Sequence, residues 1–135
     1  EKGLARRVHF LGTRQDVPQI LNGADIFALA TETEATGTVF AEAQASGLPV
    51  VGTRVGGVPE MMIENETGIL FDLRDVNGLT AALQKLLDNP ALRRQMGTAG
   101  RRFVYDAHRY DLSTMASSTE QAYLDWLGQR NWRSS

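Results

Sequence analysis

Residues 25–53 read DIFALATETEATGTVFAEAQASGLPVVGT, and the succession of patterns within them decides the fold. Segment 25–31 (DIFALAT) is a continuous apolar run of strand length, and 48–53 (LPVVGT) is a second. Neither alternates polar with apolar, as expected of strands covered on both faces. Between them, 38–47 (TVFAEAQASG) is helix-like, with Val39, Phe40, Ala43 and Ala45 on a buried side and Gly47 as a natural stop. Strand, helix, strand in this order is one parallel crossover unit.

The pattern extends in both directions. Upstream, 7–12 (RVHFLG) alternates with period two and predicts a strand over 8–11. Segment 16–25 (DVPQILNGAD) predicts a short helix with Asp16 as its cap and Val17, Ile20 and Leu21 as its apolar stripe. Downstream, 58–65 (VPEMMIEN) reads as a short helix and 68–71 (GILF) as a strand. Three helices follow: 75–89, capped by Asp75; 89–104, with Asn89 as cap and Pro90 at its first position; and 111–127. The fold class is therefore α/β: a doubly wound, Rossmann-like parallel sheet with a helical C-terminus.

The opening EKGLARR resembles the frayed end of a helix followed by a charged connector. Residues 1–127 are accordingly expected to be part of a larger domain whose first strands are missing, with 128–135 (GQRNWRSS) a polar tail. The net charge of −2 offers no footprint for nucleic acid or an anionic membrane. No apolar run approaches the roughly 20 residues of a membrane span. There are no cysteines, hence no disulfides or thiolate metal sites, and the expected location is cytoplasmic.

In a doubly wound sheet, ligands bind outside the carboxyl ends of the strands. Thr13, residues 31–37 and residues 54–57 fall at that edge. Within EATGTVFAE (34–42), a helix opening near Thr38 leaves Glu34 in the loop and puts Glu42 about one turn inside the helix. Free N–H groups around Thr38 and Val39 form an anion site, and Gly37 lets the backbone approach a ligand. Carboxylates beside an anion site suit a ligand that joins phosphate to hydroxyls, as a sugar nucleotide does.

The remaining chemistry-bearing residues point elsewhere. His9 and His108 have no partner at triad or metal-ligand spacing and are expected on the surface. Met61, Met62, Trp126 and Trp132 are expected in packing or in the tail, and the Arg pairs at 93–94 and 101–102 on a solvated helix face. Arg54 reads more readily as a surface arginine than as a phosphate ligand. Gly56 and Gly57 fit a turn needing positive φ and fit contact with a ligand equally well.

Three stretches in fixed order, EATGTVFAE (34–42), EAQASGLPVV (42–51) and GGVPE (56–60), resemble the donor-binding, C-terminal domain of the GT-B glycosyltransferases, specifically glycosyltransferase family 4. The likeness runs from about residue 8 to residue 127. It implies a retaining transfer of sugar from a nucleotide diphosphate sugar, UDP- or GDP-linked, to an acceptor hydroxyl, with no metal and no further cofactor. By the same resemblance, Glu42 meets the ribose hydroxyls and Glu34 acts catalytically on the donor sugar. Gly37, Thr38 and Val39 meet sugar and phosphate, and Gly12, Thr13 and Arg14 border the base.

Two departures stand out. Thr36 replaces the aromatic usual before the motif glycine, and the family's basic residues for the diphosphate belong to a part of the domain that this chain lacks. The acceptor would be held by a missing N-terminal domain, so the chain alone is expected to be inactive. Other GT-B activities (a sugar-nucleotide epimerase or a phosphorylase) share the pattern. A non-catalytic assembly fragment is the alternative from another class, because an exposed sheet edge invites self-association.

Overall fold

The computed structural model describes residues 3, 4, 6–105 and 112–129. Helix α1 (Val17–Asn22) precedes strand β1 (Phe27–Leu29), helix α2 (Thr38–Ala45) and strand β2 (Val50–Thr53). A 3₁₀ turn (Val58–Met61) leads into β3 (Gly68–Phe71), followed by α3 (Val76–Asp88), α4 (Pro90–Tyr105) and α5 (Leu112–Gln129). The strands lie in the order β1-β2-β3, all parallel, with Phe27 opposite Val50 and Val50 opposite Gly68.

Successive side chains of a strand point to opposite faces, so an all-apolar strand must be covered twice. Val50 and Leu70 pack with Phe40 and Ala43 of α2 and with Val58 and Met61 of the 3₁₀ turn. Val51 and Phe71 pack on the other face with Ala82 and Leu86 of α3 and Met96 of α4. The expected doubly wound arrangement is present.

Phe40 centres the first cluster. It is fully buried, with its ring edge-on to Phe27 at 5.4 Å between centroids. Burying such a side chain contributes about 1.5–3 kcal/mol. The ring comes so close to β2 that a Cβ on Gly52 would lie 2.8 Å from it and 2.7 Å from Val58.

The caps of α3 and α4 stand where the sequence puts them. Asp75 accepts from the Gly78 N–H at 2.9 Å, and Asn89 accepts from the Leu92 N–H at 3.0 Å. Helix α4 then seats against the amino ends of the strands. A Cβ on Gly97 would strike the carbonyl oxygen of Gly47, and one on Gly100 would meet Gln44 at 3.0 Å. Arg93 donates to the carbonyls of Leu86 and Leu87 at 2.7 and 2.9 Å and faces Asp25 at 3.7 Å. With one end of the sheet closed by α4, the carboxyl end is left for the loops.

Several expectations need correction. Residues 8–11 form no strand: no described strand lies beside them to share a ladder, and Phe10 is 97% exposed. The end expected to be a frayed helix is a single turn, with the N–H groups of Arg7 and Val8 both bonded to the Leu4 carbonyl. Asp16 precedes α1 but does not cap it, because Arg14 takes its carboxylate instead. Arg93 is a tie between helices, so only part of the Arg pairs forms a solvated face. Val39 is exposed, whereas Gln44 is fully buried, donating to the carbonyls of Phe40 and Met61 at 3.2 and 2.7 Å. Met61 and Met62 are core residues and His9 is exposed, as expected. Met115, Tyr123, Trp126 and Leu127 of α5 are exposed, and the helix runs past 127 to Gln129. His108, Trp132 and residues 130–135 lie outside the described residues.

Candidate functional site

Three loops leave the carboxyl ends of the strands. The first, 30–37, is fastened at its start by the Thr31 N–H, which donates to Thr53 Oγ1 at 3.1 Å. The Thr31 hydroxyl donates to the Thr33 carbonyl at 2.7 Å and tightens the turn. Glu34 then folds its carboxylate forward, and Oε1 accepts from the Gly37 N–H at 3.0 Å. Gly37 is buried with φ +66°, a left-handed conformation that favours glycine. A Cβ there would meet the Phe40 ring at 3.0 Å and Glu34 Cγ at 3.3 Å.

That turn opens α2. Thr38 and Val39 are its first two residues, both exposed, and no side chain caps the helix. The Phe40 N–H is spent on the Gly37 carbonyl at 2.9 Å. Helix geometry gives the Thr38 and Val39 amides no intrahelical acceptor, and the dipole adds positive potential there. Glu34 therefore lies in the loop and Glu42 one turn inside the helix, as the spacing predicts.

Glu42 is exposed on α2. It borders a cleft of about 440 Å³ with Pro18, Leu21 and Asn22 of α1 and with Arg101 and Tyr105 of α4. Gly12, Thr13 and Arg14, immediately before α1, are exposed, and Gly12 has φ +64°. Arg14 is held by Asp16 at 2.6 Å. The hydrogen bond between them raises the arginine's pKa and lowers that of the aspartate. The structure brings Glu34, Gly37 and Thr38 together at one turn, but no described hydrogen bond or ion pair links 12–14 to them.

The second loop, 54–57, leans on the first. The Gly57 N–H donates to the Glu34 carbonyl at 3.1 Å. The two readings of the glycine pair are thus both incomplete: Gly56 does need its positive φ, +49°, but what the pair touches is the backbone of 34–36. Arg54 is committed to protein carboxylates, with its guanidinium donating to Glu64 at 2.6 and 3.2 Å and facing Asp72 at 3.5 Å. Its pKa is raised, chiefly by the Glu64 hydrogen bond.

Sequence reasoning missed one feature of this edge. Arg74, at φ +64°, reaches back to Glu32 at 3.2 Å and flanks a cavity of about 180 Å³ over Thr31, Thr53 and Phe71. No local signal joins positions 42 residues apart. Among the described residues, no three His, Cys, Asp or Glu gather as a metal site, and no helix is long and apolar enough to cross a membrane.

Residues 1–103 match the family described as glycosyl transferases group 1. The chain belongs to that family. Among relatives of this glycosyl transferase chain is the N-acetyl-alpha-D-glucosaminyl L-malate synthase of Bacillus anthracis, 38% identical over 121 residues, which span 90% of this chain and 31% of that protein. The D-inositol 3-phosphate glycosyltransferase of Corynebacterium diphtheriae is 39% identical over 125 residues, 91% of this chain and 29% of the relative. Of solved structures, the sucrose-phosphate synthase of Thermosynechococcus elongatus superposes with a TM-score of 0.81 at 30% identity, over 94% of this chain and 32% of that one. Anabaena Alr3699/HepE in complex with UDP gives 0.82 at 26% identity, over 91% and 34%. The fold is that of the GT-B glycosyltransferases, and the glycosyl transferase chain spans about a third of the length of these relatives.

Proposed function

We propose that this chain is the donor-binding part of a retaining glycosyltransferase of family 4, one that moves a sugar from a UDP- or GDP-linked donor to an acceptor hydroxyl. The observation that carries the reading is the turn at Gly37. It joins the Glu34 carboxylate to the open amino end of α2, with Glu42 one turn further on the same helix. Support comes from HepE, whose structures contain UDP and UDP-glucose, and from a GDP-mannose-dependent mannosyltransferase of Corynebacterium glutamicum that is 40% identical over 110 residues.

In this reading, the amides of Thr38 and Val39 hold donor phosphate and sugar, and Glu42 accepts the two ribose hydroxyls. Gly12, Thr13 and Arg14 border the base. Glu34 orients the donor sugar and stabilises charge at the transition state, with no covalent bond to it. The acceptor oxygen attacks the anomeric carbon on the face from which the diphosphate departs, and its proton passes to a phosphate oxygen of the leaving group. The acceptor is held by a domain outside this chain, no metal takes part, and the enzyme works in the cytoplasm. The outer edge of β1, which no described strand covers, is the surface for self-association.

The test is calorimetric titration, with UDP and GDP, of the whole enzyme that contains this chain. Saturable binding of one of them is expected, and no binding of either at millimolar concentration overturns the reading. Sedimentation of the same sample tests the edge, with a monomer at every concentration as the contrary result.

A further inference from the structure

We infer that Gly56 and Gly57 are positioning residues for Glu34: they let loop 54–57 close on the backbone of 34–36 and so fix where the Glu34 carboxylate stands. The inference rests on the reading of Glu34 as the residue that meets the donor sugar. Glu34 is held at two points. Its carbonyl accepts from the Gly57 N–H at 3.1 Å, and its carboxylate accepts from the Gly37 N–H at 3.0 Å. The first point exists only because both glycines lack a Cβ. On Gly56 that atom would fall on the Glu34 carbonyl oxygen. On Gly57 it would fall on the Ala35 carbonyl oxygen and lie 3.2 Å from Thr36 Cα. These are backbone atoms, so no side-chain rotation relieves either contact.

The loop is fastened at both ends. Its start is tied to β2 through Thr31 and Thr53, and its end is anchored by Phe40, fully buried under α2. A Cβ at 56 or 57 would thus shift the Glu34 turn by about an ångström, and misplacement of that size costs on the order of 10²-fold in rate. Glu42 stands on α2 one turn beyond the Gly37 turn, and α2 is seated by the whole Phe40 cluster, of which loop 54–57 contributes Val55 alone.

The experiment compares Gly56→Ala and Gly57→Ala with the parent in the whole enzyme. Both variants are expected to lose ten- to a hundredfold in kcat with intact donor. Their Kd for the free nucleoside diphosphate should rise by clearly less than kcat falls, because Glu42 and the rest of α2 keep their seat. Variants that keep turnover within about twofold, or that lose nucleotide affinity as steeply as turnover, overturn the inference. A parent that transfers no sugar overturns the reading of Glu34 itself, which is a different failure. Should neither variant fold, amide hydrogen exchange of the unaltered protein decides. The Gly57 N–H is expected to be protected, and exchange at the rate of an unstructured amide overturns the clamp.

Discussion

A carboxylate on the fifth residue of a helix moves with that helix, and Glu42 is so placed on α2. Glu34 instead depends on a turn held by two backbone amides, the Gly37 N–H donating to its carboxylate and the Gly57 N–H to its carbonyl. This difference separates their expected roles. On the proposed reading, Glu42→Ala removes two charge-assisted hydrogen bonds to ribose, offset in part by water, so a loss of about 2 kcal/mol is expected. That corresponds to roughly 30-fold weaker binding of the nucleoside diphosphate, read by calorimetry. Glu34→Ala should leave that affinity nearly unchanged and lower turnover with intact donor, because orientation of the sugar matters most at the transition state. Equal losses of nucleotide affinity in the two variants would contradict this division.

Two substitutions at the scale of elements separate what is local from what is not. Asp75 caps α3 through the Gly78 amide at 2.9 Å, and Asp75→Ala should cost about 1 kcal/mol, measured as a shift in the urea unfolding midpoint. Gly97 is the harder case. By helix propensity alone, Gly97→Ala in the interior of α4 should stabilise by about 1 kcal/mol. The added Cβ would strike the Gly47 carbonyl where α4 crosses the end of α2, so a net loss of about 1–3 kcal/mol is expected in the same measurement. A gain in stability would mean that α4 does not sit so close.

The whole molecule has one end of its sheet closed and the other open. Helix α4 packs against residues that precede β1 and β2, while the loops carrying Glu34, Gly56 and Arg74 gather at the carboxyl ends. The open end supplies amides and carboxylates, and no described cluster of three potential metal ligands stands there. On the proposed reading, the helix dipole and the amides at the start of α2 contribute to holding charge on the departing diphosphate. Transfer by the whole enzyme is accordingly expected to survive EDTA, measured as initial rate with intact donor. Loss of activity restored by Mg²⁺ or Mn²⁺ would count heavily against the proposal.

Much of this architecture was legible in residues 25–53, because fully apolar strands and a helix between them permit few arrangements other than a covered parallel sheet. The caps at Asp75 and Asn89, the left-handed turn at Gly37 and the separation of Glu34 from Glu42 also follow from local chemistry. What the chain alone did not determine depends on neighbours far along it. The period-two pattern over 8–11 formed no strand because a strand exists only through a ladder, and no described strand lies beside it. Asp16 had the right position for a cap, but Arg14 offered its carboxylate a closer charge. Arg54 lies on the surface as expected, but its pairing with Glu64 has no local signal, and Arg93 looked solvated until Asp25 and two helix carbonyls were brought within reach. The glycine pair at 56–57 could be read as a turn, but its task appears only when the backbone of 34–36 lies against it. Local propensity and periodicity set which elements form, whereas contacts between distant segments, which have no signature at short range, decide what each exposed group is free to do.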